Sequence, residues 1–144
     1  MKARKGSIAA GKARVRMASL IQFTVPGAPT VYYGDEVGVT GDDDPDDRRT
    51  YPWADLGYTP DTALRAHYAA LSTLRTDVPA LVRGDFRALL ADDADGVAAY
   101  GRKTGSQAAV IVVNRSAAPR TVEIPVAGYL PDGLSLTRRY AVGT

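Results

Sequence analysis

Two chemistries are within reach of the stretch Gly27–Trp53, which reads GAPTVYYGDEVGVTGDDDPDDRRTYPW. It holds Asp42, Asp43, Asp44, Asp46 and Asp47, the adjacent Arg48 and Arg49, and the aromatics Tyr32, Tyr33, Tyr51 and Trp53. Carboxylates gathered on one loop suit calcium, a hard cation that takes several oxygen ligands. Against calcium, Pro45 interrupts the run, no bidentate glutamate closes it, and two arginines offer neutralisation of their own. Sugar recognition fits better. Asp44 and Arg48 are close enough in sequence to converge in a tight loop. A carboxylate accepts hydrogen bonds from two adjacent hydroxyls, while a guanidinium donates to others and can pair with the carboxylate to fix its geometry. The tyrosines and the tryptophan offer apolar faces for the C–H side of a pyranose. An alternative of equal standing is that Asp44 and Arg48 only staple their own loop.

Other motifs carry less. Gly6 to Lys12 fits the G-x-x-x-x-G-K pattern of a phosphate loop, but Ala13 stands where a hydroxyl should hold magnesium, and too few residues precede it for the required strand. Asn114-Arg115-Ser116 matches a glycosylation sequon, a pattern too common to weigh alone. His67, the single histidine, argues against a histidine-based metal site; beside a helix stripe it reads first as a packed or half-exposed side chain. The absence of cysteine excludes thiol nucleophiles, thiolate metal sites and disulfides, and leaves the compartment open.

The elements that must position the acidic loop follow from periodicity. Ser7–Phe23 is predicted to be a helix, nearly all apolar after Arg16 and so buried in its second half, and stopped by Pro26 and Gly27. Thr30 to Tyr33 is predicted to be a short strand, apolar on both faces, as in a covered parallel sheet. A second helix is expected to open at Pro60 with Thr59 as its N-cap, to carry a stripe of Leu64, Tyr68, Leu71 and Leu74, and to end near Arg75–Asp77. From Gly84 the period changes. Phe86–Leu90, Val97–Arg102, Ala108–Asn114, Arg120–Pro125 and Leu134–Tyr140 read as strands separated by turn signals, which indicates an antiparallel sandwich or barrel. The boundary between the two parts falls near Pro79–Gly84.

Bulk properties exclude several classes. With 45% hydrophobic and 24% charged residues, a packed core is expected rather than disorder. A net charge of +2 is too small to argue for nucleic acid, and the basic residues at the start read as a solvated helix end. No apolar run approaches the roughly 20 residues that span a bilayer, so no membrane role is expected. No signal-peptide pattern is visible, and the localisation stays undetermined.

The GAPTVYYGDE segment at Gly27–Glu36 resembles the region around the eighth barrel strand of the alpha-amylase family, glycoside hydrolase family 13. Its continuation, DPDDRRTYPW at Asp44–Trp53, resembles the branch containing amylopullulanases, neopullulanases and cyclomaltodextrinases. Later pieces agree: Tyr68, Leu71 and Leu74-Arg75 in the second helix, the Pro79-Ala80-Leu81 link, Gly84-Asp85-Phe86, and the strands at Ala98–Arg102 and Val110–Asn114. The resemblance runs from about Gly11 to Thr144. It implies α/β followed by all-β: residues 1–78 as the C-terminal end of a (β/α)8 barrel, and residues 79–144 as an incomplete antiparallel β-sandwich, domain C. Both ends are expected to be cut short.

The same resemblance implies a retaining α-glucan hydrolase as the parent, with a nucleophilic Asp, an acid/base Glu and a stabilising Asp after the fourth, fifth and seventh strands. No position here corresponds to them, so no catalytic residue is assigned and the chain alone is expected to be inactive. Glu36 is implied to be a loop-positioning residue, not the catalytic glutamate. The Asp and Arg of the D-P-x-x-R motif map onto Asp44 and Arg48 and are implied to hold the glucan; Arg49, Tyr51 and Trp53 support the loop, and Tyr33 and Asp35 receive no direct role. Implied partners are an α-glucan and the rest of the barrel. No cofactor is implied here; calcium in the parent has no assignable position. The rival expectation is a free-standing carbohydrate-binding or interaction module built on the sandwich.

Overall fold

Two long helices and one small sheet order the chain in the computed structural model, which describes residues 8–142. The start of the phosphate-loop pattern, Gly6-Ser7, and the basic residues before it lie outside that range; Ile8–Lys12 are helical. Helix α1 is Ile8–Thr24, α2 is Thr62–Asp77 and α3 is Pro79–Arg83. Strands β1 (Arg87–Asp92), β2 (Val97–Lys103) and β3 (Ala108–Asn114) follow. By packing, residues 8–22, 28–73 and 142 form one compact unit, and Phe23–Gly27 with Leu74–Ala141 form another.

In the first unit the core is Val37, Leu64, Tyr68 and Leu71, all buried. Helix α2 starts two residues later than expected. Asp61, not Thr59, is the cap: its Oδ1 accepts the Leu64 N–H at 2.9 Å, and its backbone N–H goes to Val37 O at 3.0 Å. A carboxylate at this position satisfies an orphan amide and faces the positive end of the helix dipole. Lys12 Nζ sits 2.6 Å from Asp61 Oδ2, and this contact, with the Leu64 amide, holds the Asp61 carboxyl below its usual range.

In the second unit Val78, Ala80, Leu81, Tyr100 and Ile111 form the core, with Val25, Leu74, Ala109 and Val113 packed around it. Pro79 does not merely break α2. It starts the one-turn-plus α3, where its missing N–H costs nothing, and Gly84 N closes that turn on Ala80 O at 2.9 Å. The sheet is antiparallel in the order β1-β2-β3, with Gly101 of the central strand paired to Arg87 on one side and Val110 on the other. The turn between β1 and β2 is made by Asp95 N–H on Asp92 Oδ1 (2.9 Å) and by Gly96 at φ 68°, a left-handed conformation that suits glycine. The C-terminal end of α1 is closed by Arg75, whose Nη1 donates to Phe23 O (2.7 Å) and Val25 O (3.2 Å) and whose Nη2 donates to Gly27 O.

Three expected strands do not form. Thr30–Tyr33, Arg120–Pro125 and Leu134–Tyr140 join no ladder among the described residues. The physical reason is pairing. An extended segment is stabilised only when a neighbour takes its N–H and C=O groups, and Val31, Tyr32 and Tyr33 are exposed here. Pro119 and Pro125 bracket the second segment and each lacks a donor, while Leu134 and Leu136 of the third are exposed. Among the described residues the all-β part is therefore one three-stranded sheet with helices, rather than a two-sheet sandwich.

Candidate functional site

The acidic loop is shaped from its own residues upward. Gly34 turns the chain at φ 96°, and a Cβ there would lie 2.8 Å from a Val39 methyl. The Glu36 carboxylate accepts the Gly34 N–H at 2.9 Å, so Glu36 braces the turn from which the loop departs. Asp35–Val37 form a short 3-10 turn, and Val37 is buried beneath it. Farther along, Gly41 packs against the Asp46–Asp47 backbone, where a Cβ would lie 2.4 Å from Asp46 O.

Within the Asp46–Arg48 turn the charges sort into pairs. Arg48 Nη2 donates to Asp44 Oδ1, joining residues four apart, and both side chains are open to solvent (62% and 69% exposed). Arg49 donates to both carboxylate oxygens of Asp46, at 2.7 Å each, and Asp46 Oδ2 also accepts the Asp42 N–H at 2.7 Å. Asp47 Oδ1 is 4.0 Å from Arg48 Nε. The loop thus uses Asp46–Arg49 to fold itself and presents Asp44–Arg48 outward. Tyr51 and Trp53 pack ring to ring at 4.6 Å, with Trp53 exposed. Among the described residues no three Asp, Glu or His side chains gather as metal ligands would. No described helix is long and apolar enough to cross a membrane.

Beside the pair lies a cleft of about 90 Å³ lined by Tyr32, Tyr33, Asp35, Thr40, Asp47 and Arg49, among others. Burial, then the neighbouring Glu36, pushes the Asp35 carboxyl up from its usual range. Tyr32 and Tyr33 bring their ring centroids to 4.8 Å, and the hydrogen bond between them raises the Tyr32 hydroxyl above the ordinary phenol value. Asp47, in the sequence only one of five loop aspartates, lines this cleft with Tyr32 and Tyr33, and nothing in a run of aspartates says which one will do so.

His67 is buried, and its Nε2 lies 2.8 Å from Ser19 Oγ, which also contacts Val15 O at 2.8 Å and Arg16 O at 3.1 Å. Its ring meets Tyr68 edge to face at 5.8 Å. Burial, then the Arg16 charge, holds the imidazole below its usual value of 6.5. The unfolded chain therefore takes up the proton first as pH falls. The stability contributed by neutral His67 is present above about pH 6.5 and is lost below it, towards the depressed native value. Thermal unfolding followed from pH 7.5 to 5 is expected to show a falling midpoint, and His67→Gln, which keeps a polar partner for Ser19 without titrating, is expected to flatten that slope.

No protein-family model matches the chain. It is 34% identical over 131 residues to an amylopullulanase of Thermoanaerobacterium saccharolyticum, which covers 85% of this chain and 10% of that protein. It is 34% identical over 113 residues to a cyclomaltodextrinase of Geobacillus thermopakistaniensis, covering 78% and 19%. Among solved structures, the native debranching enzyme of Nostoc punctiforme superposes with a TM-score of 0.72 at 34% identity, over 81% of this chain and 23% of that one. The alpha-amylase of Geobacillus thermoleovorans, complexed with acarbose, gives a TM-score of 0.63 at 33% identity, over 72% and 22%. The chain thus spans about a tenth of the amylopullulanase and about a fifth of the cyclomaltodextrinase. Extended similarity to amylopullulanases, cyclomaltodextrinases and a neopullulanase, joined to the same local fold in the debranching enzyme, means that the chain belongs to the alpha-amylase family, glycoside hydrolase family 13.

Proposed function

We propose that this chain is the C-terminal part of an α-glucan hydrolase, in which residues 1–78 complete a (β/α)8 barrel, residues 79–144 begin domain C, and Asp44 with Arg48 hold the glucan. The observation that carries the reading is the outward-facing Asp44–Arg48 pair on a loop braced separately by Asp46–Arg49. A paired carboxylate and guanidinium, already oriented, can exchange part of their mutual contact for sugar hydroxyls at little ordering cost. The acarbose complex of a similar amylase supports an oligosaccharide as the ligand class. Thr30–Tyr33, exposed and unpaired here, would gain strand partners from the rest of the barrel.

Bond cleavage with retention needs two carboxyl groups about 5–5.5 Å apart on opposite sides of the scissile bond. Asp42, Asp43, Asp44, Asp46 and Asp47 sit on one loop, with no facing carboxylate element assigned, so the nucleophile and acid/base are placed on other barrel strands. The purified chain is expected to release no reducing sugar from starch or pullulan, yet to bind maltohexaose. Asp44→Ala is expected to weaken that binding about tenfold or more, the scale of a hydrogen bond to a charged group. Binding unchanged in Asp44→Ala, or turnover by the pure chain, would overturn the reading.

A further inference from the structure

The two edges of the sheet meet solvent differently. On the β1 side the ladder is interrupted by a bulge between Ala88 and Leu90, and the strand begins at Arg87 and ends at Asp92. A bulge and charged side chains are means by which a sheet edge is kept from pairing with another chain. β3 has neither. Its seven residues, Ala108–Asn114, include no charge, proline or glycine, and they pair with β2 in unbroken register from Lys103↔Ala108 to Val97↔Asn114. Thr104 N–H donates to Gln107 O at 2.8 Å and Arg115 N–H to Gly96 O at 2.9 Å, and these two bonds fix the phase of the ladder. Alternation then turns the N–H and C=O groups of Ala109, Ile111 and Val113 towards β2, and those of Ala108, Val110 and Val112 outward. Among the described residues no hydrogen bond reaches these outward groups. The downstream segments Arg120–Pro125 and Leu134–Tyr140 join no ladder, and Val112 is 42% exposed.

We propose that β3 is a self-pairing edge, where a second copy of this chain adds its own β3 antiparallel about a two-fold axis at Ile111. Unmet N–H and C=O groups at strand spacing are complementary to another strand. Centred on Ile111, its middle residue, β3 meets itself with Ala108 opposite Asn114, Ala109 opposite Val113 and Val110 opposite Val112. Outward residues then face outward residues, so each unmet donor finds an acceptor. The Val110–Val112 pair occurs twice, and apolar β-branched pairs across strands stabilise a sheet. No like charges meet: the nearest cation, Arg115, falls opposite Gln107. The same patch serves both copies, so the contact closes at two. The result is one sheet in the order β1-β2-β3-β3-β2-β1, with the bulged β1 strands as its outer edges. Every residue involved belongs to the second unit, so the pairing does not depend on the glucan contact of Asp44 and Arg48.

The test combines sedimentation of the 144-residue chain with amide hydrogen exchange followed residue by residue, both from roughly micromolar to millimolar concentration. Wild type is expected to pass from monomer to dimer and to stop there. The Val110 and Val112 amides are expected to exchange fast in the monomer and to become protected as the dimer forms, while the Ile111 and Val113 amides, bonded to β2, stay protected throughout. Val112→Lys places a charge on the edge, and Val112→Pro removes an outward donor without removing a bond to β2. Each is expected to weaken dimerisation about tenfold or more; Ala91→Lys, on the bulged strand, is expected to leave it unchanged. Unfolding midpoints measured in the dilute monomer establish that the variants are folded. A wild-type chain that stays monomeric at every concentration overturns the proposal. So does a dimer that both Val112 variants retain, which would place the contact elsewhere. Protection of Val110 and Val112 that is independent of concentration overturns it too, because a segment of the same chain would then hold the edge.

Discussion

Arg102→Ala is expected to lower the stability of the second unit by about 3–4 kcal/mol, measured by urea unfolding, which is a large share of the 5–15 kcal/mol typical of a domain. Among the described residues Arg102 is the largest fully buried side chain, at 1% exposure, and no carboxylate lies in salt-bridge contact with it. Its guanidinium is instead divided among three backbone carbonyls: Nε donates to Asp85 O at 2.6 Å, Nη1 to Thr24 O at 2.6 Å and Nη2 to Gly84 O at 2.9 Å. Thr24 is itself buried, so water does not readily replace the hydrogen bond its carbonyl loses, whereas the Gly84 and Asp85 carbonyls lie nearer solvent and recover part of the loss. The expected total is accordingly below three times the cost of one stranded charged hydrogen bond.

The controls separate charge from volume. Arg102→Met keeps most of the apolar stem and removes every donor; it is expected to be destabilised almost as much as the alanine variant. Arg102→Lys supplies one compact charge where a planar fork served three directions, and is expected to recover only part of the loss. Burial, then the nearby Arg75 charge, holds the Arg102 guanidinium below its ordinary value. Yet both cations close the same region of chain, Arg75 on the carbonyls of Phe23, Val25 and Gly27 and Arg102 on that of Thr24. Their mutual repulsion is offset because both donate to carbonyls at the C-terminal end of α1, the negative end of the helix dipole. Unfolding of Arg102→Met with the stability of wild type would show that this offset is incomplete and the arginine dispensable.

Residue patterns told some of this and not the rest, for physical reasons. The second helix stripe of Leu64, Tyr68 and Leu71, and the strands β1 to β3, were legible because burial on one helix face and regular turn chemistry leave local signals. The Asp61 cap was misplaced by two residues because Thr59-Pro60 offers an equally good local cap, and only the Lys12 and Val37 contacts decide in favour of Asp61. Thr30–Tyr33 has strand propensity without strand partners, and propensity cannot supply them. In the loop, the sequence spacing could bring Asp44 and Arg48 together or not; the fold does join them, while assigning the self-bracing task to Asp46 and Arg49. The roles of Arg102 and of the Ser19–His67 contact were invisible because their partners lie 17 to 78 and 48 residues away.

Gly101 is a case where a weak local signal has a specific cause, and it leads to the second large expected effect. Glycine in the middle of a central strand loses more backbone entropy on folding than any other residue, so it persists where another group must approach closely. Here that group is Tyr129. A Cβ on Gly101 would lie 2.1 Å from Tyr129 Cε1, far inside contact distance. The ring cannot step aside cheaply. It is 4% exposed, its hydroxyl donates to Asp85 Oδ1 at 2.8 Å, and Lys103 Nζ and Arg87 lie 4.7 and 5.4 Å from its centroid. Burial first, then that hydrogen bond, pushes the Tyr129 hydroxyl up to about 12, so it stays a donor throughout the neutral range. Gly101→Ala must therefore either bend β2, which pairs on both edges, or expel Tyr129 and leave Asp85 short of a partner. The expected loss is about 2–3 kcal/mol by urea unfolding. Tyr129→Ala alone is expected to cost a similar amount through the emptied site. In the double variant the methyl no longer meets a ring, so the two losses are expected to sum to clearly less than their separate values. Strict additivity would mean that Gly101 and Tyr129 do not constrain each other, and that the glycine answers to some other demand of the strand.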